Sequence, residues 1–207
     1  MKTIVYVDAF NLYYGAVKGT PYKWLDLQAL CRVMLPRNKV TCIKYFTARV
    51  QPRSDDPDQP NRQRLYLRAL QTLQNLQIIY GHYLSHVVWM PLAAPIPGQK
   101  PFAHVIKTEE KGSDVNLASH LLMDAFTNSF DCAVIISGDS DLRTPIHMVL
   151  NCFHKMVGVL NPQQRPCKAL ENIASFYKHI RESAIQASQF APVLTDSQGT
   201  FHKPPTW

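Results

Sequence analysis

Asp8, Asp114, Asp139 and Asp141 are the residues of this chain whose type and placement suit chemistry. Asp8 ends the apolar run Thr3-Ile4-Val5-Tyr6-Val7. Asp139 and Asp141 lie in Ser137-Gly138-Asp139-Ser140-Asp141, directly after the apolar run Cys132-Ala133-Val134-Ile135-Ile136. Asp114 opens an amphipathic stretch in Lys111-Gly112-Ser113-Asp114-Val115-Asn116. Each acid stands at an element boundary. Carboxylates gathered at such points offer hard oxygen ligands, which suit Mg2+ or Mn2+. A metal held between carboxylates and a phosphate lowers the pKa of bound water and steadies the leaving oxygen, which is the chemistry of a metal-dependent nuclease. Asp8 and Asp139 are the expected direct ligands; Asp114 and Asp141 bind directly or through water.

Each acid also has a plain structural explanation. Asp114 fits the start of a helix as a capping residue. Asp141 complements a helix dipole, and Asp139 suits a turn after Gly138. Asp8 fits such a role least, because an acid at the end of a buried strand is costly unless paired or metal-bound. The joint occurrence favours a site.

The elements that must position these acids follow from hydrophobic pattern. Residues 2–7, 40–50, 77–84, 131–136 and 155–160 read as strands. Residues 11–17, 26–34, 62–76, 113–126, 141–153, 168–175 and 181–189 read as helices. Pro91, Pro95, Pro97 and Pro101 interrupt residues 86–101, which read as an extended, hairpin-like insertion with 102–106 as its returning strand. Strands alternating with helices imply right-handed crossovers and a mostly parallel sheet of about five strands with helices on both faces. In such open sheets ligands bind beyond the carboxyl ends of the strands, so acids far apart in sequence can converge. The domain spans 1–190, and 191–207 reads as an unpatterned tail. No glycine-rich dinucleotide loop and no Walker A motif is present.

The 22 Lys+Arg outnumber the 15 Asp+Glu, giving a net charge of +7. A basic surface attracts polyanions, while a local knot of carboxylates repels phosphate unless divalent cations neutralise it. The apolar runs are too short for a membrane span or a signal peptide, so the expected location is cytoplasmic. Five scattered cysteines without a Cys-x-x-Cys argue against a disulfide framework or structural zinc.

Three segments together resemble the NYN domain family, a branch of the PIN-like nucleases: Val7-Asp8-Ala9-Phe10-Asn11-Leu12-Tyr13, Glu110-Lys111-Gly112-Ser113-Asp114-Val115-Asn116 and Ser137-Gly138-Asp139-Ser140-Asp141. Their order, spacing and element boundaries agree with that family over roughly residues 1 to 180. The resemblance implies a three-layer α/β/α sandwich and hydrolysis of RNA phosphodiester bonds by an acid cluster binding Mg2+ or Mn2+. It implies that Asp8, Asp114, Asp139 and Asp141 are the acids, that Asn11 orients Asp8 or a metal-bound water, and that Ser137 supports Asp139.

The expected partner is RNA, single-stranded by preference. Lys111 and Arg143 are candidate phosphate contacts, with a solvated or ion-paired side chain as the alternative. Arg62 and Arg64 would flank a substrate groove at the start of a helix, whereas Arg68 reads as a solvated position. Tyr13 and Tyr14 suit base stacking, with core packing the better reading for one of them. A homodimer or a protein inhibitor stays open as a partner. A phosphatase using Asp8 as nucleophile would want an acid two residues later, where Phe10 stands. The rival from another class is a non-catalytic RNA-binding or regulatory module on the same fold.

Overall fold

In a computed structural model of the protein, residues 1–95, 98 and 100–207 are described. The chain opens with β1 (Lys2–Asp8), a short helix α1 (Ala9–Leu12) and a π-helical turn (Tyr13–Val17). There follow α2 (Leu27–Met34), β2 (Lys39–Thr47), α3 (Gln59–Gln71), β3 (Leu76–Tyr80), β4 (His82–Pro91) and β5 (Phe102–Lys111). Next come α4 (Ser113–Phe126), β6 (Cys132–Ile136), a 3-10 turn (Ser140–Leu142), α5 (Arg143–Asn151) and β7 (Met156–Asn161). The chain closes with α6 (Lys168–Glu171), β8 (Phe176–His179), α7 (Glu182–Gln186), β9 (Val193–Asp196) and β10 (Gly199–His202).

The main sheet has six strands in the order β3-β2-β1-β6-β7-β8, all pairs parallel. This is an α/β sandwich with one strand more than the sequence pattern indicates. The additional strand, β8, is four residues long and half-exposed, too short and too polar to show an apolar run. The chain travels outward from β1 to β3 and then returns to lay β6 on the other side of β1. Strand order therefore reverses between β1 and β6, and a crevice opens there at the carboxyl ends.

Alternation along β1 assigns the two cores. Val5 and Val7 join Leu27, Leu30, Ile43 and Leu70 under α2 and α3. Ile4 and Tyr6 join Leu117, Leu121, Ile146 and Val149 under α4 and α5. By the same period of two, Asp8 leaves the strand on the face that α4 covers. That core also buries an ion pair. Lys44 lies 2.5 Å from Asp124, whose other contact is the Tyr6 hydroxyl, donating at 2.6 Å.

Two regions differ from the sequence reading. The stretch read as one strand over 77–84 breaks at Gly81, because β3 belongs to the main sheet and β4 to a separate antiparallel hairpin with β5. A Cβ at Gly81 would sit 2.5 Å from both the Glu110 Oε1 and the Lys111 carbonyl; only glycine allows the chain to turn so close to the end of β5. The hairpin-like reading of the insertion holds, with regular pairing as far as Pro91 against Phe102. Pro is compatible with such a strand end. Pro97 lies outside the described residues.

The segment 191–207 is a docked hairpin and not a loose tail. β9 and β10 pair antiparallel, and Phe201 is buried. The Arg68 guanidinium makes two 2.7 Å hydrogen bonds to the Asp196 carboxylate and covers the Phe201 ring at 4.2 Å. Arg68 is thus a clamp for this hairpin and not a solvated position. Such a pairing spans more than a hundred residues, beyond the reach of any local pattern. Among the described residues, no helix is long and apolar enough to cross a membrane.

Candidate active site

The end of β1 and the loop after β6 meet at the reversal in strand order. Asp8 caps α1: its Oδ1 accepts from the Asn11 backbone N–H at 3.0 Å. Its Oδ2 accepts from the Ser137 hydroxyl at 3.0 Å. The Ser137 oxygen in turn accepts from the Asp139 backbone N–H at 3.1 Å. Asp139 caps the next turn, its Oδ1 accepting from the Asp141 N–H at 2.9 Å. One continuous chain of hydrogen bonds therefore runs Asp8, Ser137, Asp139, Asp141.

Asn11 joins the two loops. Its Oδ1 accepts from the Gly138 N–H at 2.9 Å and from Gln163 Nε2 at 2.9 Å. Asn161, buried at the end of β7, donates to the Gln163 and Arg165 carbonyls at 2.9 and 3.1 Å. These contacts press the loop after β6 between its neighbours. A Cβ at Gly138 would stand 2.7 Å from Asn161 Oδ1 and 2.8 Å from Gln163 Cγ. Asn161 and Gln163 were missed from sequence. A polar residue closing a buried strand was the available signal for Asn161, the same signal that marks Asp8. The resemblance implies that Asn11 orients Asp8 or a metal-bound water. In the structure the Asn11 backbone holds Asp8 and its side chain holds the Gly138 loop.

Asp114 occupies the first turn of α4. The helix start is set by Glu110, whose Oε1 accepts from the Ser113 N–H at 3.1 Å and hydroxyl at 2.8 Å. Glu110 is thus a further acid of the site. In sequence it opens the segment Glu110–Asn116, beyond the strand read over 102–106, and carries no assigned role.

The acids act on one another's ionisation. Asp8 is 6% exposed. Burial raises its pKa from 3.8 to about 6; the Asn11 and Ser137 hydrogen bonds oppose the rise, and the charges of Asp114 and Asp139 add to it. Asp114 is exposed, yet lost hydration and then the charges of Asp139, Glu110 and Asp141 raise its pKa also. The four predicted acids therefore share one field. Among the described residues no three acidic, histidine or cysteine side chains stand at metal-ligand distance from one another. Their hard oxygen donors would suit a divalent ion, whose charge would offset their mutual repulsion.

The basic candidates divide. Lys111 pairs with Glu109 at 3.3 Å, so it reaches a phosphate only by exchanging partners. Arg143 is the exposed first residue of α5, close in sequence to Asp141. Arg62 and Arg64 do not act as a pair. Positions two apart on a helix point to different faces. Arg62 turns inward to Asp56 and Asp58, and Arg64 is exposed. Tyr13 packs on the core while Tyr14 is exposed, their rings edge to face at 5.3 Å.

The chain is 31% identical to 6-hydroxy-3-succinoylpyridine 3-monooxygenase HspA of Pseudomonas putida (strain DSM 28022 / S16), across all of this chain and 75% of that protein. Its fold is similar to the crystal structure of a protein of unknown function from Vibrio parahaemolyticus RIMD 2210633, with a TM-score of 0.56 and 19% identity over 91% of this chain and 96% of the other. The NYN domain model matches residues 2–181, which take in the acids, Asn11, Ser137 and the whole six-stranded sheet, and the chain belongs to the NYN domain family.

Proposed function

We propose that the protein is a metal-dependent endoribonuclease hydrolysing phosphodiester bonds of single-stranded RNA. The observation that carries this reading is the Asp8-Ser137-Asp139-Asp141 chain of hydrogen bonds at the strand-order reversal. Asp8, Asp114, Asp139 and Asp141 would hold Mg2+ or Mn2+, which when bound supplies Lewis-acid activation of water and of the scissile phosphate. Ser137 fixes one oxygen of Asp8, and the Asn11 N–H fixes the other, so the carboxylate is oriented before substrate arrives. Asn11 and Gln163 hold the Gly138 loop so that Asp139 keeps its place relative to Asp8. Arg143 and Arg64 are the exposed cations that can take the RNA backbone, and Lys111 joins them by leaving Glu109. Purified protein should cleave single-stranded RNA, lose activity in EDTA and regain it with Mg2+ or Mn2+. Retained binding without cleavage would identify a non-catalytic RNA-binding module instead.

A second reading rests on the relative from Pseudomonas putida, whose name describes a monooxygenase of 6-hydroxy-3-succinoylpyridine and whose alignment takes in all of this chain. Monooxygenation requires O2 and a two-electron reductant. Oxygen uptake on adding that pyridine with a reduced nicotinamide would favour this reading. No uptake, together with EDTA-sensitive RNA cleavage, leaves the first.

A further inference from the structure

A cavity of about 370 Å3 opens beside the acid cluster, on the opposite face of the sheet. That volume lies at the lower end of the range for small-molecule sites. Its walls include Tyr13, Tyr45, Tyr66 and Trp207. Ala9, Phe10 and Leu12 complete one side, and they belong to the segment that Asp8 caps. The cavity and Asp8 are therefore joined by one short helix.

Its polar groups are arranged for a ligand. Gln59 lines the cavity, and its Oε1 is buried without a hydrogen-bond partner. A buried acceptor left unpaired is costly, so a donor is expected to meet it. Tyr45 is only 6% exposed, and its hydroxyl meets no partner among the described residues. By contrast Tyr66 is satisfied, donating to the Leu25 carbonyl at 2.9 Å. Arg62 and Asp56 also line it but pair with each other, whereas Lys23 stands in the lining without an acidic partner among the described residues. Aromatic walls, one orphaned acceptor, one free hydroxyl and a cation suit a planar nitrogen heterocycle that carries an N–H donor and is attached to an anionic group.

We propose that this cavity binds a nucleobase, seating the base of a nucleotide whose backbone runs over α1 to the acids. The proposal rests on the ribonuclease reading for its purpose. Aromatic walls stack on a base face whatever its sequence, while Gln59 and Tyr45 would discriminate at its edge.

The test separates the two readings by measuring binding without chemistry. Calorimetry with each of the four ribonucleosides, in EDTA, should show at least one binding, displaced by a short single-stranded RNA. Gln59→Leu and the nearly isosteric Tyr45→Phe should each weaken that nucleoside about five-fold, the effect of one lost hydrogen bond. Their melting temperatures report whether the fold is intact, and Tyr45→Phe decides if Gln59→Leu unfolds. The proposal is overturned if no nucleoside binds, if both folded variants bind as tightly as the wild type, or if a free hydroxypyridine binds and nucleosides do not. A protein that binds nucleosides but never cleaves RNA would overturn the ribonuclease reading and leave the base site standing. One that cleaves RNA but binds no nucleoside would do the reverse.

Discussion

Ser137 donates its hydroxyl hydrogen bond to Asp8 at 3.0 Å, across 129 positions of sequence. Both residues are buried. The bond favours the ionised carboxylate while burial disfavours it, and burial prevails, since the pKa of Asp8 rises to about 6. This carboxylate is held in place at a cost to the metal-free fold. Such a cost suits a group whose favourable partner arrives later.

Asp139→Asn should abolish RNA cleavage with the fold intact. The change is nearly isosteric, keeps an oxygen for the Asp141 N–H, and removes one charge from the field raising the Asp8 pKa. Melting of the metal-free variant should occur at or above the wild-type temperature. Cleavage at the native rate would show that Asp139 is not a ligand.

Mg2+ or Mn2+ should raise the melting temperature progressively with concentration, by mass action on the native state. A concentration of a hundred times Kd corresponds to about 2.7 kcal/mol. Asp8→Asn should remove most of the shift. Calorimetry showing no divalent binding to the wild type would sink the metal-centre reading.

Metal-free stability should fall as pH rises from about 4 to about 6. Asp8 ionises near 3.8 unfolded and near 6 folded, so over that window the native state holds the extra proton and stability declines with pH. Below the window the group is protonated in both states; above it the penalty is fully present, about 3 kcal/mol at most. Asp8→Asn should flatten this part of the urea-derived profile. An unchanged slope would mean that Asp8 is not buried as a charge.

RNA affinity should weaken steeply with salt, with a slope near −0.7 per phosphate neutralised on single strands. Arg64→Ala and Arg143→Ala should each make that slope shallower by about one contact. Arg62→Ala should leave it unchanged, because its guanidinium is committed to Asp56 and Asp58. Fluorescence anisotropy across several salt concentrations distinguishes them. Equal effects of Arg62→Ala and Arg64→Ala would mean that Arg62 exchanges its carboxylates for RNA.

The strands that carry the candidate acids and the family were legible in the sequence, because each rests on short-range order. β1 and β6 are continuous apolar runs, α4 shows a helical stripe, and Asp8 and Asp139 directly follow such strands. A buried parallel strand must read this way, since both its faces are covered. What the tertiary structure alone decided is which groups meet. Gln163 reaches Asn11 across 152 positions. Arg68 binds Asp196 across 128, turning an apparent tail into a wall of the molecule. Glu110 enters the site because Gly81 lets β3 end against β5, and Tyr45 and Trp207 share one cavity only after the sheet is assembled. Hydrophobic periodicity records the face that a residue presents, whereas a hydrogen bond or a cavity wall also needs the partner's position, and chain topology supplies that only once the whole core has packed.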